Sequence, residues 1–124
     1  MKSVLLGLLS CLCFSCYDYE RDCERFQTGV FEFETVLGSE VVKTTFERRE
    51  SFEIETYQGK TDTSSIRWVS DCEYILKSIN PKSMKDQKWM QFKILETDAN
   101  TYKFEYNIVG DSNKQQGMAR KIAD

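Results

Sequence analysis

From residue 28 to the end of the chain, apolar and polar side chains alternate with a period near two, and clusters of turn-forming residues interrupt them about every twelve residues. Residues two apart on an extended backbone share a face, so each run has an apolar side and a polar side. Gly29-Val30-Phe31-Glu32-Phe33-Glu34 and Ser51-Phe52-Glu53-Ile54-Glu55-Thr56 are the clearest cases, with aromatic and aliphatic side chains expected inside and carboxylates outside. Val42, Thr44 and Phe46 share a face in the next run, as do Ile66 and Trp68 in the run from Ser64 to Ser70. Cys72 to Leu76, Trp89 to Leu95 and Tyr102 to Ile108 continue the pattern, and Gln116, Met118, Arg120 and Ile122 close the chain on one face.

Leu37-Gly38-Ser39, Gln58-Gly59-Lys60, Asn80-Pro81-Lys82-Ser83, Thr97-Asp98-Ala99-Asn100 and Gly110-Asp111-Ser112-Asn113 separate these runs with turn chemistry. Connections this short leave no room for parallel crossovers. The expected fold is all-β: a single antiparallel up-and-down meander of about eight strands, forming a closed or partly open lipocalin-like barrel. Gly29 is the residue that lets a tightly curved first strand bend, and Phe31 and Trp68 are large enough to plug one end.

The first sixteen residues read differently. Lys2 is a short positive region, and Val4 to Ser15 carries no charge, the pattern of an export signal. Twelve helical residues reach about 18 Å, short of the roughly 30 Å hydrocarbon core, so the segment is not a membrane span. Leu8-Leu9-Ser10-Cys11 and Cys13-Phe14-Ser15-Cys16 both resemble a lipobox. The first has the better leucine; the second leaves the longer apolar run and is followed at once by the polar Tyr17-Asp18-Tyr19-Glu20-Arg21-Asp22, which favours Cys16 as the lipidated residue. The chain then divides into a lipoprotein signal peptide over 1–15, a lipidated tether over 16–25 and a barrel domain over 26–124. An ordinary cleaved signal is the alternative. The address is the cell envelope, with the membrane as a partner through the N-terminal lipid.

With Cys16 as the lipidated first residue of the mature chain, two of the five cysteines are left to pair, Cys23 and Cys72. An even pair in an oxidising compartment is expected to form a disulfide. A metal site is the competing reading, weakened by the lack of any histidine.

Cys23-Glu24-Arg25-Phe26-Gln27-Thr28-Gly29-Val30-Phe31 resembles the opening of small exported proteins, many of them lipoproteins, of Bacteroidota, with the pattern Cys-x-x-Phe-x-x-Gly-x-Phe. Arg49 to Glu55 strengthens the likeness, and Ser65 to Tyr74 is similar to that family's Ile-x-Trp-x-x-x-Cys-x-Tyr segment. The resemblance runs from about residue 23 to the end. It implies a secreted or lipid-anchored β-domain whose two motif cysteines are partners. Some members carry the automatic name "DNA topoisomerase IV", for which this chain is too short and too acidic.

Composition removes several kinds of chemistry. Without histidine there is no Ser-His-Asp or Cys-His catalysis. A formal net charge of -3 and no long basic block argue against a nucleic-acid partner. No glycine-rich phosphate loop or other cofactor motif is present, so no cofactor is expected. Ser64 and Ser65 lack a histidine to activate them, and the i,i+2 carboxylates Glu32/Glu34 and Glu53/Glu55 read better as solvated strand faces than as catalytic pairs.

One polar feature stands out. Arg48 follows Phe46 by two and Arg120 follows Met118 by two, so simple alternation turns both guanidiniums inward. There they could anchor an anionic amphiphile beside Trp68 and Tyr74, or reach water by snorkelling near strand ends. The function expected from sequence is non-enzymatic: binding of a small amphiphile or a partner protein. A filled barrel serving as an accessory subunit of an envelope complex is the alternative.

Overall fold

The computed structural model describes residues 21–124, and of residues 35–37 the backbone alone. A 3-10 turn, Glu24–Phe26, leads into eight strands: β1 (Gly29–Leu37), β2 (Glu40–Arg48), β3 (Phe52–Tyr57), β4 (Lys60–Ser70), β5 (Glu73–Ser78), β6 (Met90–Thr97), β7 (Thr101–Ile108) and β8 (Gln115–Ala123). Each strand pairs antiparallel with the next, and β8 returns to β1 to close the barrel. The up-and-down meander read from the sequence is the fold. Closure pairs every strand on both sides, although β1 meets β8 only from Val30 to Phe33. Gln58 and Gly59, with φ of 48° and 75°, form the two-residue turn between β3 and β4, the left-handed geometry that follows strand twist.

An up-and-down barrel has two distinct ends. The β2–β3, β4–β5 and β6–β7 connections share one end with the N-terminal segment; the other four connections share the opposite end. The first end is closed. The 3-10 turn lowers Phe26 into the barrel, 5.2 Å from the ring of Tyr102, and a disulfide joins Cys23 to Cys72. Phe31, Phe46, Ile94, Tyr102, Phe104 and Ala119 complete a continuous buried cluster beneath it, with Trp68 packed against it. Gly29 allows the close approach expected of it: a Cβ there would lie 2.8 Å from the Ala123 carbonyl oxygen.

Three expectations need correction. Residues 21–25 are no free tether: Arg21 Nη1 donates to the Ile94 carbonyl at 2.9 Å, the Asp22 amide to Thr97 Oγ1 at 2.9 Å, and Cys23 is buried. The rest of that segment, the signal segment, and Cys11 and Cys16 lie outside the described residues.

In β3 the faces are reversed. Glu53 is only 7% exposed on the inner face, whereas Phe52 is exposed. In β8 the outer face carries Met118, 59% exposed, with Arg120 and Ile122, while Gly117 and Ala119 point inward. The reason is volume. A Cβ at Gly117 would stand 2.7 Å from Phe104 Cζ and 2.8 Å from Phe33 Cε2, so the large rings of neighbouring strands occupy the space a bulky β8 side chain would need.

Candidate functional site

Arg48 ends β2 at the closed half of the barrel with 1% of its surface exposed. An unpaired guanidinium there would be prohibitive, and the chain supplies partners from four elements. Arg48 Nε donates to Glu53 Oε2 at 3.0 Å, Nη1 to the Phe26 carbonyl at 2.8 Å, and Nη2 to the Tyr74 and Tyr102 hydroxyls at 2.7 and 3.2 Å. The rings of Tyr74, Phe31, Phe46, Trp68 and Tyr102 surround its Cζ at centroid distances from 4.5 to 5.8 Å. Burial alone would lower the Arg48 pKa, but Tyr102, Tyr74 and Glu53 raise it above the ordinary value, so the group stays charged. Burial likewise pushes the Tyr74 and Tyr102 hydroxyls up, against the opposing pull of Arg48.

Arg48 therefore points inward as alternation predicts, yet its bonds serve the fold. Trp68 and Tyr74 join it in the same cage. Arg120 does not: it sits on the outer face across from Glu32, with which it forms an ion pair, and its hydrogen bond lowers the Glu32 pKa. The two arginines are not a paired anchor.

The opposite half of the barrel is open. Beyond Tyr74, Phe92 and Tyr106, which stack in sequence at centroid distances of 4.9 and 5.6 Å, a cavity of about 520 Å³ opens toward the four-connection end. Its apolar lining comes from Leu76, Met90, Phe92, Tyr106 and Ile108. Its polar lining comes from Glu55, Asp62, Ser64, Ser78, Asn107 and Gln115, with Lys85, Asp86, Lys88, Asp111 and Asn113 at the loops.

In a closed eight-stranded barrel each strand faces the one four places on, so Glu55 of β3 stands across the lumen from the β7 wall that carries Tyr106. One wall is acidic and the other aromatic.

Glu55 and Asp62 are direct cross-strand partners, and no ion pair joins either of them to a cation of the described residues. Like charges placed opposite one another cost stability. Partial burial by the barrel wall, then Glu53 and Asp62, hold the Glu55 carboxyl above the usual glutamate range. Nearby, the buried Ser78 Oγ has no hydrogen-bond partner among the described residues. This wall is suited to donors and cations.

The sequence reading missed this wall because it placed the β3 carboxylates outside. A signal was available: a tight β2–β3 hairpin sets Glu53 directly across from Arg48, and an inward arginine needs such a carboxylate. Glu55 then follows on the same face by alternation.

Among the described residues, no helix is long and apolar enough to cross a membrane, and no cluster of ligating side chains could hold a metal ion. The disulfide fits a chain that folds outside a reducing cytoplasm. Compared with family models, curated proteins and solved structures, the chain has no match in any of the three.

Proposed function

We propose that this protein is a lipid-anchored envelope protein that binds a small amphiphile without chemical turnover, in the open half of its barrel. The cavity of about 520 Å³ carries the reading, since it falls within the range of small-molecule sites and combines an apolar floor with a few convergent polar groups. Its acidic wall selects the ligand's head. Glu55 and Asp62 repel a fatty-acid carboxylate and favour a neutral or cationic donor, such as an amine. The anionic ligand suggested by two inward arginines gives way to its opposite, because Arg48 is already neutralised and Arg120 is outside. The export-type N-terminus, its resemblance to exported Bacteroidota proteins and the oxidised cysteine pair support the envelope address.

Dodecylamine, dodecanol and dodecanoate, each below its micelle concentration, test the reading by thermal denaturation. A ligand at a hundred times its Kd adds about 2.7 kcal/mol by mass action, a shift of several degrees in Tm. The expected order is amine, then alcohol, then carboxylate. The double variant Glu55→Gln/Asp62→Asn should remove the amine's advantage while the alcohol still binds. No shift with any of the three would leave the accessory-subunit alternative. For the anchor, Cys16→Ala should move the protein from the detergent phase to the soluble or uncleaved fraction; an effect of Cys11→Ala in its place would transfer the lipid to Cys11.

A further inference from the structure

The connection between β5 and β6, residues 79–89, stands at the open end and is exposed along its whole length. Soluble loops of this size carry small and polar residues at their tips. Here the tip is Met84, 79% exposed, and Ile79 and Trp89 are exposed at the two feet, with exposed Val109 hydrogen-bonded through its amide to the Trp89 carbonyl at 2.9 Å.

The charge of the loop runs against that of the protein. Lys82, Lys85 and Lys88 face a single aspartate, Asp86, in a chain whose net charge is -3, and the Lys77 ammonium lies 5.0 Å above the Trp89 ring. The other charges bordering the same cavities are Lys60, Glu55, Asp62 and Asp111, which leaves the excess of lysine at the loop itself.

The fold keeps this loop in place without burying it. The Ile79 amide donates to the Thr63 carbonyl at 3.1 Å, the Asp86 amide to Ser83 Oγ at 3.2 Å, and the Lys88 amide to the Lys85 carbonyl at 3.2 Å. Large apolar side chains held outward between lysines, with a tryptophan at the edge, have the composition of a segment that enters the headgroup layer of an anionic bilayer. A protein partner could use the apolar residues, but it would not by itself account for the lysines between them.

We propose that residues 79–89 dock the open end of the barrel onto an anionic lipid surface, with Met84 and Trp89 entering the interface and the three lysines meeting lipid phosphates. Lys85 and Lys88 also border the cavity, but Met84 and Trp89 do not, so the quenching test and the thermal shift of the amphiphile site fail separately. Because the N-terminal segment joins the closed end, this contact would set a membrane facing the anchored one at the mouth of the cavity, where an amphiphile could pass without crossing water.

The purified full chain is mixed with phosphatidylcholine vesicles, or with vesicles also containing phosphatidylglycerol, in which the acyl chains are brominated. Tryptophan quenching is then followed. Quenching is expected on the anionic vesicles, is expected to be lost in Trp89→Phe while Trp68 emission persists, and is expected to weaken at high salt. Lys82→Gln/Lys85→Gln/Lys88→Gln should raise the lipid concentration for half-quenching at least tenfold, and Met84→Ser should weaken it further; both substitute exposed residues and leave the barrel folded. Equal quenching on neutral and anionic vesicles, or an undiminished signal in the triple variant, would overturn the proposal, as would quenching that survives Trp89→Phe.

Discussion

Replacing Arg48 by methionine keeps most of the side-chain volume and removes the charge and all its donors. Glu53 is then left at the inner wall with its carboxylate unpaired, while the Phe26 carbonyl and the Tyr74 and Tyr102 hydroxyls each lose a bond of 2.7 to 3.2 Å. Removing one partner of a buried pair costs about 3–5 kcal/mol, mostly through the orphaned charge. For a domain of this size each kcal/mol lowers Tm by roughly 4–8 °C, so Arg48→Met should fall by at least ~12 °C. Urea denaturation followed by the emission of Trp68, whose ring lies 5.6 Å from the guanidinium, measures the same loss at constant temperature. Arg48→Met/Glu53→Leu should recover a large part of it, because an apolar pair replaces an ion pair at little cost. Arg48→Lys should fall between, keeping the charge without the fork that reaches four acceptors. A loss below about 1 kcal/mol in Arg48→Met, or a double variant no better than the single, would refute the idea that the cage exists to neutralise Glu53 and fasten Phe26.

Reduction of the Cys23–Cys72 bond, or Cys23→Ala/Cys72→Ala, opens a loop spanning 49 residues and should cost about 4 kcal/mol by loop entropy, read as a lower urea midpoint. The raised pKa of Glu55 means that the folded state holds this proton more tightly than the unfolded chain, so the contribution of Glu55 to stability grows as pH falls from neutrality through the folded pKa toward the ordinary glutamate value of about 4.3. Glu55→Gln should accordingly melt higher than wild type at pH 7, and the difference should vanish at pH 4; an unchanged difference across that range would mean that Glu55 is not the titrating group. Gly117→Val should lower Tm by displacing the Phe33 and Phe104 rings, whereas the same change at Gly38, where an added Cβ meets nothing within 4 Å, should act through backbone strain alone.

Strand number, order and direction were legible because turn chemistry and period-two alternation are local properties. Alternation says which residues share a face. It does not say which face is inside. Where the inner face is aromatic, as with Phe31 and Phe33 or Tyr102 and Phe104, the hydrophobic side and the lumen coincide. They part company in β3, where Arg48 draws Glu53 inward, and in β8, where the rings of Phe33 and Phe104 leave space only for Gly117 and Ala119. Both reversals are decided by partners on adjacent strands, information that no single run contains. Trp89 was read as the start of a strand, yet β6 begins at Met90 and Trp89 belongs to the exposed connection. The cavity follows from these same reversals: putting the β3 carboxylates outside would have left no acidic wall to find.

The joint between the N-terminal segment and the barrel also sets where a mechanical load would travel. β1 meets β8 at only four paired positions, from Val30 to Phe33, against nine with β2, so of the two seams that hold β1 this is the shorter. A pull entering from the N-terminus would peel this seam open one rung at a time if it reached β1 directly. The covalent link at Cys23 intercepts it first and hands the tension to Cys72, at the turn between β4 and β5 on the far side of the wall. Force then enters the barrel at the β4–β5 turn and spreads through the strands on either side of it, so the seam that closes the lumen is not the first to be loaded until the sulfur bridge is cut.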